Sequence, residues 1–207
     1  MEAGALAGPR AQMTALWVEC RQLWRLRALL AVMTRRELAA RFAGSAGGVL
    51  WVWLPPLLTI AAYYLVFDVV FGMRLGAGAP TGRVGTYLIV GMLPWMAFAD
   101  ATQRGMTSLL DAGGLLHKNP LPPALFPARA VLASGVVFAP LLLALLPLYA
   151  GSHHFAPGVW ALLPLLALQG LLCFLLAYLL AILAAALRDV VQVVGVALSL
   201  GVFLSPV

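Results

Sequence analysis

The stretch Ala130–Leu187, AVLASGVVFAPLLLALLPLYAGSHHFAPGVWALLPLLALQGLLCFLLAYLLAILAAAL, contains no Asp, Glu, Lys or Arg. As helix, at ~1.5 Å rise per residue, it is long enough to cross a ~30 Å hydrocarbon layer twice. The break between the crossings falls at Gly151-Ser152-His153-His154-Phe155-Ala156-Pro157-Gly158, where Gly and Pro suit a tight exposed turn. The whole chain has the same character: 63% of its residues are apolar and 10% charged, against roughly half and about a quarter in a soluble domain. A soluble fold cannot hide that much apolar surface, so the chain reads as an all-α polytopic membrane protein.

Working outward from that stretch, five spans are predicted, near Val49–Phe71, Thr86–Arg104, Ala130–Ala150, Val159–Ala186 and Val190–Val207. They divide the chain into a cytoplasmic segment, 1–45, and a transmembrane domain, 46–207. Of the 13 basic residues only Arg74 and Arg83 fall on one side of the alternating connectors. The others, from Arg10 to Arg41 and then Arg104, Lys118, Arg129 and Arg188, share the opposite side, which the positive-inside rule assigns to the cytoplasm together with the N-terminus. The first long apolar run begins only near Val49, so the start lacks the usual form of a signal peptide. The chain stops at Ser205-Pro206-Val207, where the fifth span should be leaving the membrane, and a truncated chain that lacks a sixth span is expected.

The net charge of +6 does not point to nucleic acid, because the basic residues cluster at the chain start and at span ends, as lipid head-group anchors do. Ahead of the first span, Leu16, Trp17, Cys20, Leu23, Trp24 and Leu30 fall on one side of a helix, with Arg21, Arg25 and Arg36 on another and Arg27 breaking the pattern. An amphipathic helix in the head-group layer is expected; the alternative is a cytoplasmic helix packed on its own protein. Cys20 and Cys173 lie in different compartments and read as small apolar side chains rather than a disulfide.

Several chemistries are excluded. There is no G-x-x-x-x-G-K-[ST] phosphate loop, and Lys118 is the only lysine, so the chain is not a P-loop ATPase. No Cys/His spacing suits zinc, and His153-His154 are adjacent residues that point in different directions. No catalytic Ser-His-Asp or Gly-x-Ser-x-Gly pattern occurs, and no cofactor or catalytic residue is assigned. Asp68 lies toward the far end of the first span. Asp100 and Arg104 stand one turn apart in the second, an i, i+4 pair that lowers the cost of immersing both charges. That pair is structural on the plainer reading and handles protons or substrate on the other. Arg188-Asp189 marks the turn between the fourth and fifth spans. In the connector after the second span, the apolar pair Leu115-Leu116 precedes His117-Lys118-Asn119 and the Pro-rich Pro120-Leu121-Pro122-Pro123, a stiff lever against a soluble partner.

In this order the pieces resemble the permease subunit of polysaccharide-exporting ABC transporters of type 2, which move lipid-linked O-antigen, capsule or teichoic acid chains. Arg35-Arg36-Glu37-Leu38-Ala39-Ala40-Arg41-Phe42-Ala43-Gly44-Ser45, then Gly48-Val49-Leu50-Trp51 and Leu54-Pro55-Pro56-Leu57, looks like the family's lead into the first span. Phe42 stands there for the usual Tyr. Gly91-Met92-Leu93-Pro94-Trp95 is similar to the family's G-x-x-P-W, and Leu115-Leu116-His117-Lys118 with Phe126-Pro127 to its L-I-K-K-x-x-F-P. Leu187-Arg188-Asp189-Val190 and Ser205-Pro206-Val207 look like F-R-D-V and S-P-I.

The resemblance implies a six-span subunit of the bacterial cytoplasmic membrane that pairs with a second copy of itself, each copy docking on a separate ABC ATPase subunit. It implies a coupling helix about Thr107 to Asn119, including Leu115, Leu116, His117 and Lys118, and a lipid-linked polysaccharide as cargo. Trp51, Trp53, Tyr63, Tyr64 and Trp95 are candidates for stacking on sugar rings, the plainer role of each being packing or interfacial anchoring. Two further readings are a membrane-embedded transferase acting on lipid-linked sugars, for which Asp68, Asp100 or the His153-His154 pair would have to serve, and a drug- or lipid-exporting permease of the same broad type.

Overall fold

The computed structural model describes residues 21–44, 47–48, 50–72, 74, 84–113, 121–150 and 161–204. Among them the secondary structure is helical: α1 (Arg27–Phe42), α2 (Leu50–Tyr63) continued by a π-helical stretch (Tyr64–Val70), α3 (Val84–Asp111), α4 (Leu125–Ala150), α5 (Leu162–Ala186) and α6 (Asp189–Leu204). Three segments among the described residues, Leu50–Val70, Leu125–Ala144 and Leu162–Ala186, are long and apolar enough to cross a membrane. The second and fifth predicted spans coincide with α3, which carries Asp100 and Arg104, and with the 16-residue α6. The expected chain end at Ser205-Pro206-Val207 lies outside the described residues.

α3 is the central helix. It packs along α4 and α5 over most of its length and meets α2 and α6 on its other sides. Between helices in a lipid environment there is no hydrophobic drive, so close association relies on small residues that let backbones approach. The α3–α5 seam has this form. Cys173, Ala177, Ala181 and Ala184 form the buried stripe of α5, and Gly105 on α3 sits so near Ala177 that a β-carbon at Gly105 would overlap the one at Ala177. The outward face of α5 carries exposed Leu163, Leu168, Leu172 and Leu179, as a lipid-facing surface should.

α2 accommodates Pro55 and Pro56 in its interior, where each removes a backbone donor. Its last turns widen to a π-helix, closed by Phe71 N–H donating to the Val66 carbonyl at 3.0 Å. The Asp68 carboxylate in this stretch accepts a hydrogen bond from the Gly85 N–H at 2.8 Å. Gly85 belongs to the first turn of α3, whose N–H groups have no partner within the helix, so Asp68 caps a neighbouring helix.

α1 docks on its own protein. Its inward stripe runs Leu26, Leu30, Met33, Thr34, Leu38 and Arg41, and Met33 joins Leu109, Ala112, Phe126 and Ala181 in one core where α3 ends and α4 begins. Trp24, placed on the apolar face by periodicity, is 71% exposed. Arg27, which breaks that periodicity, lies 5.3 Å from the Trp24 ring centroid as a cation–π partner. Leu16, Trp17 and Cys20 lie outside the described residues.

Candidate functional site: an interhelical ion cluster and an adjoining cleft

Asp100 stands at the meeting point of three helices. Its Oδ1 accepts from Arg104 Nε at 2.8 Å, one turn along α3. Its Oδ2 accepts from Arg41 Nη1 of α1 at 3.4 Å and from the Ser134 hydroxyl of α4. Arg41 Nη2 also donates to Ser134 Oγ at 3.2 Å. A second pair links the same two outer helices, Arg129 Nε of α4 standing 3.7 Å from Glu37 Oε2 of α1, and the Arg129 guanidinium lies 5.3 Å from the Phe126 ring centroid.

The Arg41 side chain is only 5% exposed. Burial pulls its pKa below the ordinary value and the neighbouring Arg104 pulls the same way, while Asp100 and Glu37 oppose them. One carboxylate is thus shared by two guanidinium groups. Such a cluster is costly to break, because removing one member leaves a desolvated charge. Arg41 Nε and Thr102 Oγ1 are buried without a hydrogen-bond partner.

Asp100 also opens on one side into a cleft of about 880 Å³ between α3 and α6, within the ~300–1,000 Å³ typical of ligand pockets. Trp95, Gln103, Gln192 and Ser199 line it. The two helices run past each other so that Gln103 faces Gly195 and Trp95 faces Gly201; a β-carbon at Gly201 would come within 2.6 Å of the indole ring. Gly201 is thus the notch that receives Trp95.

The candidate aromatic residues separate into different environments. Trp53 is committed to packing, its indole N–H donating to the Val137 carbonyl of α4 at 2.9 Å within a cluster of Leu93, Val137 and Phe138. Trp53→Phe is therefore expected to lower stability by about 1 kcal/mol, read from the unfolding midpoint in detergent, while leaving the α3–α6 cleft intact. Tyr63 stacks on Phe67 at 5.8 Å. Trp51 is 60% exposed and Tyr64 42%, on a helix that does not border the cleft. Only Trp95 of the five lines it.

Arg188 and Asp189 are exposed at the start of α6, where a carboxylate complements the helix dipole. Thr107–Asp111 continues α3 as its last turn rather than forming a separate helix. Leu115, Leu116, His117 and Lys118, and the His153-His154 pair, lie outside the described residues. Asp68 and Asp100, the acids a transferase would use, are both engaged in holding helices. Among the described residues no group of three or more His, Cys, Asp or Glu side chains could hold a metal ion.

Apolar helices that cross a membrane, charges neutralised between them and an exterior dominated by leucine define a multi-pass membrane protein. No family model matches the chain. Individual proteins do: it is 32% identical over 190 residues to the O-antigen export system permease protein RfbA of Myxococcus xanthus, covering 90% of this chain and 70% of that protein. Two RfbA permeases of Klebsiella pneumoniae are 28% and 30% identical over 124 and 110 residues. The chain spans less than half of each of those, 46% and 40%. The chain belongs to the family of O-antigen export permeases, the ABC-type permeases of polysaccharide export that its motifs resemble.

Proposed function

We propose that this chain is the permease subunit of an ATP-driven exporter that carries lipid-linked polysaccharide across the cytoplasmic membrane. The observation that carries the reading is the alignment with the Myxococcus xanthus permease over 90% of the chain. In this reading α2 to α6 are the five predicted spans and the N-terminus is cytoplasmic. Two copies pair, and each docks on a separate ABC ATPase through the connector that contains Leu115, Leu116, His117 and Lys118.

ATP-driven closure of the ATPases pushes this connector, which follows directly on α3. α3 in turn is tied through Asp100 to α1 and α4, so a push at its end is transmitted to three helices at once. The Arg188-Asp189 turn lies at the same membrane face. Trp95 supplies a flat aromatic surface for the sugar chain, with Trp51 and Tyr64 as further contacts at the exposed face of α2.

The test is export itself: surface O-antigen in a strain whose own permease is deleted and which expresses the full-length protein with its ATPase. Restored surface glycan and co-purification of the ATPase are expected; a chain that inserts but neither binds an ATPase nor restores glycan sinks the proposal. In the same assay Trp95→Ala should lower flux about fivefold, the worth of an aromatic contact of ~1 kcal/mol. Unchanged flux would remove the stacking role.

A further inference from the structure

The α3–α6 cleft sets several polar side chains into an apolar helix surface. On α5 the exposed positions are leucines such as Leu163, Leu168 and Leu179. In the cleft, Gln103, Gln192, Ser199 and the edge of Asp100 stand beside Trp95 among apolar lining residues such as Met96, Val196 and Leu200. Among the described residues neither glutamine amide has a hydrogen-bond partner, and the Ser199 hydroxyl donates to the Gly195 carbonyl at 2.9 Å, leaving its lone pairs free. Lipid tails cannot satisfy such groups, and an unpartnered amide in hydrocarbon costs several kcal/mol. Groups that bring hydroxyls to these amides would satisfy them.

Charge narrows the chemistry. Asp100, the one acid in the cleft, is already held by Arg41 and Arg104, so the wall offers neutral donors and acceptors rather than a fixed anion site. Trp95 at one end is given room by Gly201 of α6, and Gln103 at the other lies beside Gly195. A neutral amide pair followed by an indole face matches a neutral sugar chain: equatorial hydroxyls for the amides, the C–H face for the ring. Several weak, exchangeable contacts also suit a conduit, in which binding must be favourable enough to enter and weak enough to leave.

We infer that the α3–α6 cleft is a glycan-contact groove in which Gln103 and Gln192 hydrogen-bond the hydroxyls of the passing polysaccharide and Trp95 stacks on its rings. This rests on the export function proposed above and names the residues that meet the cargo. Gln103 and Gln192 are the specificity-bearing part, since their amides read hydroxyl groups and the indole reads only a flat apolar face.

The experiment uses the full-length permease with its ATPase in cells that make lipid-linked O-polysaccharide. A photo-crosslinking benzoylphenylalanine is placed at Ser199 in the cleft or at Leu179 on the leucine face, and export is stalled with a hydrolysis-deficient ATPase. Adducts that stain with anti-O-antigen serum are expected from position 199 and not from 179. In parallel, Gln103→Leu combined with Gln192→Leu should cut export about tenfold or more, two hydrogen bonds being lost, with ATPase co-purification unchanged. Wild-type export together with no glycan adduct at 199, or with an adduct only to a second permease copy, overturns the groove and leaves the export function standing. Absence of export by the unmodified chain overturns both.

Discussion

Replacing Asp100 by leucine is expected to destabilise the folded chain by about 3–5 kcal/mol, the cost of stranding a buried charge when its partner is removed. Arg41, 5% exposed, would lose its only ion pair among the described residues apart from the longer-range field of Glu37, and would face Arg104 unopposed. The Ser134 hydroxyl would lose its acceptor at the same time. The measurement is unfolding in mixed micelles, monitored by tryptophan fluorescence. Asp100→Asn keeps shape and an acceptor oxygen and should fall between wild type and the leucine variant. Adding Arg41→Met to Asp100→Leu should recover part of the loss, because an apolar pair replaces the stranded cation. A leucine variant within about 1 kcal/mol of wild type would mean that the cluster is solvated in the membrane-embedded protein.

The second large effect is expected at Gly105. A methyl group there would occupy the position of the Ala177 β-carbon, so α3 and α5 must move apart along the seam that also holds Ala101, Cys173 and Val131. Gly105→Ala should cost about 2 kcal/mol through overpacking, and Gly105→Leu more, with loss of a single sharp unfolding transition. The steric origin makes a specific demand: Ala177→Gly introduced together with Gly105→Ala should restore most of the stability, although either change alone weakens the protein. If the double variant is no better than Gly105→Ala, the effect comes from helix propensity or another contact rather than from this approach of backbones.

Helix positions were readable from composition. Apolar runs and their Gly/Pro breaks lie over α2, α4 and α5, since hydropathy over about 20 residues is a local property of the chain, although α4 begins at Leu125, ahead of the Ala130 start read from the charge-free stretch. The Asp100–Arg104 pair was readable for the same reason, as four residues along a helix bring two side chains together. Arg41 was not. In sequence it counts as one more arginine before the first span, yet it reaches Asp100 across 59 residues, and Ser134 does so across 34. The signal that could have pointed to it is its place on the stripe Leu30, Met33, Thr34, Leu38 and Arg41, where the inward face of α1 ends in a charge. Asp68 was read as an acid near a membrane surface and turned out to cap α3.

The aromatic residues show the limit most clearly. Trp51, Trp53, Tyr63, Tyr64 and Trp95 are all aromatic rings within apolar helical segments, but Trp53 donates to a neighbouring backbone, Tyr63 stacks on Phe67 and Trp95 opens on a cleft. Which face a side chain presents depends on which helix lies beside it.

By itself the sequence determined that the chain is helical and membrane-spanning, because an excess of apolar surface and its spacing act within one segment and need no partner. Its ordered motifs were enough to indicate the permease family. Only the tertiary structure decided that Asp100 is shared by two arginines from different helices, that Gly105 and Gly201 are sites of close approach, and that Gln103, Gln192 and Trp95 meet along one wall. The physical reason is that such contacts depend on how helices pack against one another. In a bilayer that packing is set by small residues and buried polar pairs, which hydropathy does not register.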